Sequence, residues 1–273
     1  MYDDEFEDIT AEALKQLIRS RDEKDYVLVD VRQPDEYQAG HIPGSLFIPL
    51  SKLIFRFSDL PADKEMVFYC HSGGRSMAAA SMVSEEDITD KKIYNLQGGI
   101  LAWDGKTMKG FPRIQIFDKS KTPGELLFIA MDLEKGAWRF YKHILEHLSV
   151  GPIVSTLEPL YKAEIAHART VYEFWKTGER TPPPFDDLYD SLPGEVLEGG
   201  EKLSDVLDHL ENIKENLSIR VIELALHIEY AAYDLYRAMA EQAQDETVQK
   251  TLLSIAQAEK SHIRLLTRAL EKI

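Results

Sequence analysis

The stretch Met66-Val-Phe-Tyr69-Cys70-His71-Ser72-Gly73-Gly74-Arg75-Ser76-Met77-Ala-Ala-Ala80 passes from an apolar run, through a turn of small residues, into a helix-forming segment. A buried strand, a glycine loop and a helix, in that order, form the repeating unit of a parallel α/β sheet. The loop holds the chain's only cysteine. Backbone N–H groups of a glycine turn, together with a helix N-terminus, make an anion cradle, and such a cradle lowers a thiol's pKa. Cys70 therefore reads as a nucleophile rather than as a small buried apolar side chain. Two glycines and an arginine following it serve no packing purpose.

The surroundings agree with this reading. Tyr26-Val-Leu-Val29 and Lys92-Ile-Tyr94 are further short apolar runs ending in polar or glycine-rich turns, as strands of a buried sheet do. Thr10 is placed to cap a helix beginning Ala11-Glu-Ala-Leu, and Ser76 to Val83 continues from the loop as a helix. Cys70 then lies at the carboxyl end of a strand, where open α/β sheets bind ligands. Four residues separate Cys70 from Arg75. Cysteine phosphatases place five there, so the tighter loop favours sulfur over a phosphoryl group, with phosphatase chemistry as the weaker alternative.

The match extends beyond the loop. Asp30-Val-Arg32-Gln-Pro34-Asp-Glu36-Tyr37, Gly40-His41-Ile42-Pro43-Gly44-Ser45, Ile48-Pro49-Leu50, and Tyr94-Asn95-Leu96-Gln97-Gly98-Gly99-Ile100 with Trp103 follow in order. With these landmarks, roughly residues 5 to 112 resemble the rhodanese family. The resemblance implies that Cys70 thiolate takes sulfur from thiosulfate or another sulfane donor, forms a cysteine persulfide and passes the sulfur to a thiol acceptor. His71, Ser72, Gly73, Gly74, Arg75 and Ser76 would line the substrate site, with Asp30 and Arg32 at its rim. Plainer readings stand beside these. Arg75 is equally an ion-pair brace, His71 a solvated loop residue, and Asp30 and Arg32 ties between loops.

The rest of the chain differs in kind. Asp118-Lys-Ser-Lys-Thr122-Pro123 reads as a linker ending in a helix start, with Thr122 at the N-cap, Pro123 at the first helical position and Glu125 completing a capping box. Helical patterning follows, and it repeats. Glu134 and Glu229, Ala137 and Ala232, Tyr141 and Tyr236, Glu164 and Glu259, and His167 and His262 are each 95 positions apart. Two duplicated helix pairs produce that pattern. In each pair the first helix carries Glu-x-x-x-x-x-x-Tyr and the second Glu-x-x-His. Residues at i and i+3 share a helix face, so each Glu-x-x-His can aim a carboxylate and an imidazole at one point. A lone Glu-x-x-His is common on exposed helices. Two of them, each 30 residues after a glutamate, are hard to obtain by accident. Four glutamates and two histidines from four helices are the ligand inventory of ferritin-like carboxylate bundles that hold two iron or manganese ions. Glu229 stands in a mostly apolar segment, where an uncompensated carboxylate is costly and a metal would compensate it.

Residues 123 to 273 resemble the rubrerythrin branch of the ferritin-like superfamily. The resemblance rests on Glu134-Lys-Gly-Ala137-Trp-Arg-Phe140-Tyr141, Glu164-Ile-Ala-His167, Glu229-Tyr-Ala-Ala-Tyr-Asp-Leu-Tyr236-Arg237 and Ala258-Glu259-Lys-Ser-His262. It implies two iron ions, with manganese or a mixed pair as alternatives, held by Glu134, Glu164, His167, Glu229, Glu259 and His262. Tyr141 and Tyr236 would donate to ligand carboxylates, or simply pack the core. Gly178 to Gly200, rich in proline, reads as the long crossover such bundles need, followed by an amphipathic stretch from Leu203 to Ile213. The chain also departs from the pattern. Ala232 and Tyr233 stand where rubrerythrins carry a further carboxylate one turn beyond the third-helix glutamate, so iron movement between alternative ligands is expected to be absent. A single cysteine excludes a rubredoxin module, a zinc knuckle and an iron–sulfur cluster. An external electron donor, or the sulfur domain itself, has to take its place.

The expected architecture is thus multidomain: a rhodanese-like parallel-sheet α/β domain at 1–115, a linker at 116–122 and a ferritin-like four-helix bundle at 123–273. The length, 273 residues with 44% hydrophobic content, accommodates two cores. A formal net charge of −15 argues against nucleic acid. The absence of a long apolar run and the acidic start Met1-Tyr-Asp-Asp-Glu-Phe6 argue against a membrane span or signal sequence. One cysteine suits a reducing cytoplasm, and by resemblance a homodimer is expected. The leading expectation is a bifunctional enzyme, a sulfurtransferase with a di-iron site reducing peroxide or oxygen. The alternative is an iron-binding, persulfide-sensing protein with little turnover.

Overall fold

The computed structural model describes residues 6–109, 122–148, 150–213, 215–243 and 245–273. Most of the expected linker, residues 116–121, and the acidic start at residues 1–5 lie outside the described residues. The chain divides into two compact units: Met1–Phe111 with Tyr236–Gln257, and Pro112–Leu235 with Ala258–Ile273.

The first unit is built on five strands, β1 (Glu7–Ile9), β2 (Tyr26–Asp30), β3 (Ser45–Phe47), β4 (Glu65–Tyr69) and β5 (Ile93–Leu96). They form one sheet in the order β1-β5-β4-β2-β3, and every pairing is parallel. Central strands of a parallel sheet are covered on both faces, which is why β2 is buried at every residue and reads as an apolar run from Tyr26 to Val29. Helices α1 (Ala11–Ser20), α2 (Pro34–Ala39), α3 (Leu50–Leu53), α4 (Gly74–Glu85) and α5 (Gly99–Ala102) are interleaved with the strands. Thr10 caps α1, its hydroxyl accepting from the Ala13 N–H at 3.2 Å. Two apolar layers result. Val27, Val29, Met66, Phe68, Ala79, Ala80 and Val83 fill one, and Leu14, Leu28, Ile42, Val67, Tyr69 and Leu96 fill the other. The alternation along β2 and β4 is the two-residue period of a strand.

The second unit is helical. It contains α6 (Pro123–His147), α7 (Val154–Trp175), α8 (Phe185–Ser191) and α9 (Leu203–Glu211), together with parts of α10 (Leu217–Gln242) and α11 (Glu246–Leu270). Thr122 and Glu125 form a reciprocal capping box: the Thr122 hydroxyl accepts from the Glu125 N–H at 3.3 Å, and Glu125 accepts from the Thr122 N–H at 2.7 Å. Phe140, Ile144, Leu157, Leu160, Leu197, Ile222, Ala225, Ile228 and Leu266 share one apolar core. Helices α6 and α7 and the parts of α10 and α11 in this unit form the ferritin-like bundle, and the crossover carries α8 and α9. Among the described residues no helix is long and apolar enough to cross a membrane.

Candidate functional site

In the first unit, strand β4 delivers Cys70 to the loop that opens α4, and the thiol is buried. Its Sγ accepts the Gly73 N–H at 3.1 Å. Gly73 has φ +104°, a left-handed conformation that L side chains rarely adopt. The Ser76 hydroxyl lies 3.4 Å from Sγ, but also 3.0 Å from the Gly73 carbonyl and 2.7 Å from Asn95 Oδ1. One proton thus has three acceptors. Burial pushes the Cys70 thiol pKa up, yet hydrogen bonds from the Ser76 hydroxyl and from the N–H groups of Ser76, Gly73 and Ser72 outweigh it, so the net shift is downward.

The loop is braced from two sides. Gly99 stands at φ +59°, where an added Cβ would lie 2.5 Å from the Cys70 carbonyl oxygen. The Ile100 and Leu101 N–H groups donate to the Cys70 and His71 carbonyls at 2.8 and 3.2 Å. On the other side Arg75 makes a two-pronged pair with Glu36, both contacts at 2.7 Å. Arg75 is therefore directed at a carboxylate of α2, and the pairing lowers the Glu36 pKa to about 2. Asp30 and Arg32 are buried together, joined by three side-chain hydrogen bonds of 2.6 to 3.0 Å, and Arg32 also donates to the Gly40 carbonyl at 2.7 Å. Both are tied within the fold. His71 and Ser72 are exposed, and Gly74 begins α4. Asn95 is the residue that sequence patterning missed. It holds the Ser76 hydroxyl and is itself fixed by its amide donating to Asp8 at 2.7 Å.

The second unit gathers the six acidic and histidine positions of the repeat. Ligand atoms of Glu134, Glu164, His167 and Glu259 lie within 4.8 Å of one another, as do those of Glu164, Glu229 and His262. Glu164 belongs to both groups. Glu259 is shared as well: its Oε1 is 2.9 Å from His167 Nδ1 and its Oε2 is 3.1 Å from His262 Nδ1. Glu134 faces His167 at 3.4 Å and Glu229 faces His262 at 3.0 Å. The two imidazoles stack with ring centroids 5.2 Å apart. The set is thus two carboxylate–imidazole pairs with two further carboxylates shared between them. This is the donor arrangement for two neighbouring hard or borderline cations.

The residues fit such a cargo on their own chemistry. Four buried carboxylates repel one another unless protons or cations intervene, and Glu164 Oε1 is buried without a hydrogen-bond partner. Burial, reinforced by Glu259, raises the Glu229 pKa to about 7 against the opposing pull of His262. Burial alone would lower the His262 pKa, but Glu229 and Glu259 override it and push it up to about 11. Tyr141 is fully buried and donates its hydroxyl proton to Glu229 Oε1. Tyr236 is also fully buried, on α10. Sequence reasoning did not single out Tyr189 on α8. Its buried hydroxyl has no hydrogen-bond partner, and burial followed by the charges of Glu134 and Glu164 pushes its pKa up.

Comparison with known proteins agrees with both halves. A rhodanese-like domain family model matches residues 10–106, and a rubrerythrin family model matches residues 220–273. A sulfurtransferase of Allochromatium vinosum is 38% identical over 96 residues, covering 35% of this chain and 86% of that protein. The thiosulfate sulfurtransferase GlpE of Pseudoalteromonas translucida is 33% identical over 92 residues, 34% of this chain and 86% of its own length. Among solved structures, a rhodanese-related protein from Thermoplasma volcanium is 31% identical, with a TM-score of 0.34, over 38% of this chain and 98% of that one. The chain accordingly belongs to the rhodanese-like family through residues 10–106 and carries a rubrerythrin domain at residues 220–273.

Proposed function

We propose that this protein is a sulfurtransferase whose nucleophile is Cys70, joined to a dinuclear iron centre that reduces peroxide or oxygen. The observation that carries the first half is the Cys70 sulfur accepting the Gly73 N–H at the mouth of α4, in a loop whose Arg75 is committed to bracing against Glu36. The thiolate attacks the outer sulfur of a sulfane donor such as thiosulfate. The donor's S–S bond breaks, sulfite leaves with the electron pair, and Cys70 becomes a persulfide. A thiolate acceptor then attacks the terminal sulfur and Cys70 leaves as thiolate. The N–H groups of Ser72, Gly73 and Ser76 hold the negative sulfur in both states. His71 and Ser72, exposed at the rim, meet the incoming anion.

In the bundle, Glu134, Glu164, His167, Glu229, Glu259 and His262 would hold the ions, with Glu164 and Glu259 reaching both. Bound iron supplies the electrons for reduction. The protein's part is to fix the carboxylates and to manage protons. Tyr141 keeps its proton at the hydroxyl and orients Glu229, and the two imidazoles give up theirs when cations enter. The partners proposed are a small sulfane-sulfur donor, a thiol acceptor and an external reductant, in a reducing compartment such as the cytoplasm, with the chain as a homodimer. Two assays test the reading. Sulfur transfer from thiosulfate to a thiol should saturate with substrate and vanish in Cys70→Ser. Protein purified without oxygen should contain about two iron atoms per chain and consume peroxide when given a reductant. Binding without turnover would favour storage or persulfide sensing instead.

A further inference from the structure

The second unit carries a series of aromatic rings in contact with one another. Trp138 of α6 stacks on Tyr161 of α7 with ring centroids 5.6 Å apart, and it meets Tyr189 of α8 edge-on at 6.2 Å. From Tyr189 the series continues to Phe185 at 5.3 Å, from there to Tyr172 at 5.4 Å, then to Trp175 at 6.0 Å and to Phe128 at 6.2 Å. Every step is within the range of paired aromatic side chains. One end lies beside the candidate metal centre. Trp138 follows Glu134 by four residues on α6, and Tyr161 precedes Glu164 by three on α7, so each ring stands one helical turn from a cluster carboxylate on the same side of its helix. The other end reaches the surface: Tyr189, Phe185 and Tyr172 are buried, Trp175 is half-buried and Phe128 is 37% exposed.

Packing alone does not account for the ring types. Trp138 Nε1 and the Tyr189 hydroxyl are buried with no hydrogen-bond partner. Phenylalanine would fill either place without leaving a polar atom unpaired. What phenylalanine lacks is a ring that gives up an electron readily. An indole whose N–H has no acceptor keeps its proton when the ring is oxidised, so charge passes through it reversibly. Trp138 is itself half-buried, and the ammonium groups of Lys135 and Lys142 lie 4.5 and 4.9 Å from its ring centre. These cations disfavour a positive ring, so Trp138 hands charge on instead of storing it.

We propose that these rings are an electron path between the dinuclear site and the surface, with Trp138 as the inner station and Trp175 as the outer one, where a reduced one-electron carrier delivers. The proposal rests on the dinuclear reading above, and it supplies an entry point for electrons in a chain whose single cysteine excludes a rubredoxin module. In each pass the carrier loses one electron, the oxidised iron pair gains it, and the rings end unchanged. A pair of such passes, with a proton taken up in each, balances the reduction of one hydrogen peroxide to water.

The test follows the visible absorbance of an indole radical after a pulse of azide radical, which takes one electron from tryptophan and becomes azide. The full-length protein is used in a Trp103→Phe background, which removes the one indole outside this unit. It is loaded to about two ions per chain with iron(II), or with zinc(II) as a redox-inert counterpart. With iron(II) the radical should disappear faster than with zinc(II), because the ring regains its electron as one iron(II) becomes iron(III). Adding Trp138→Phe should abolish that difference and strand the radical on Trp175, with iron content unchanged. Equal lifetimes in the iron and zinc proteins, or a difference that survives Trp138→Phe, would overturn the path while leaving the six-residue site intact. A protein that binds neither metal would overturn the dinuclear reading and the path with it. If Trp138→Phe does not fold, Phe185→Leu decides, since it breaks the ring series and keeps both indoles: a new slow fraction of the radical supports the path, and its absence refutes it.

Discussion

Arg75 and Glu36 face each other with both guanidinium and both carboxylate contacts at 2.7 Å, across 39 positions of sequence. The arginine of the cysteine loop is thereby spent on α2, and the sulfur is left to backbone N–H groups and one hydroxyl. Arg75→Lys cannot reproduce the two-pronged geometry and should slow sulfur transfer by loosening the loop. The pair is partly exposed, so its loss should cost about 0.5–1 kcal/mol of stability after screening by water. Glu36 has its pKa lowered from 4.5 to about 2. The stability it contributes is therefore present above pH 4.5 and fades as pH falls toward 2. Denaturant melts of wild type and Arg75→Lys should converge on acidification, and a constant difference between them would refute the assignment.

The thiol's lowered pKa has one side-chain contributor, Ser76, whose proton is contested by Asn95 and the Gly73 carbonyl. Ser76→Ala should move the pH midpoint of Cys70 alkylation upward, since the lost hydrogen bond favours thiolate. Asn95→Ala should move it the other way by freeing the hydroxyl for sulfur. Following iodoacetamide reactivity against pH gives both signs, and identical midpoints would assign the lowering to the backbone alone.

Gly99 allows the Cys70 carbonyl to come within reach of the Ile100 N–H. Gly99→Ala introduces a Cβ 2.5 Å from that oxygen at a φ of +59°, and the oxygen is backbone, which cannot rotate aside. A destabilisation on the order of 1–3 kcal/mol is expected, with loss of sulfur transfer at temperatures where the chain is still folded. Thermal melting and transfer assays on the same sample separate the two effects.

What sequence could and could not reveal follows from how local each determinant is. The strand, loop and helix around Cys70 are consecutive, so periodicity and glycine placement suffice. The ligand positions are far apart, but duplication marks them, and Glu134, Glu164, His167, Glu229, Glu259 and His262 are the residues whose ligand atoms the helices bring together. Strands β1 and β3 have three residues each, too few for an alternating signal. The Arg75 to Glu36 and Ser76 to Asn95 pairings depend on tertiary approach, and no spacing rule encodes them. Glu198, only 3% exposed, is the extreme case, because a glutamate in a glycine turn of a crossover reads as solvent-facing until Gly136 and Gly194 are seen to bring the turn against α6.

The protonation of the metal-free cluster makes a prediction with a definite sign. Glu229 is raised from 4.5 to about 7 and His262 from 6.5 to about 11. In both cases the folded chain holds more protons than the unfolded one, Glu229 between pH 4.5 and 7 and His262 between 6.5 and 11. Metal-free stability should therefore fall as pH rises through these windows. A divalent cation must displace the same protons, so its affinity should rise with pH, by about tenfold per unit for each proton released. Tyr141→Phe removes the donor to Glu229 Oε1 and should weaken binding about 10- to 100-fold while leaving the number of ions unchanged. Cobalt titrations at pH 6, 7 and 8, with proton release followed in weak buffer, check all three statements. An affinity independent of pH, with no protons released, would show that the cations bind outside the carboxylate–imidazole cluster.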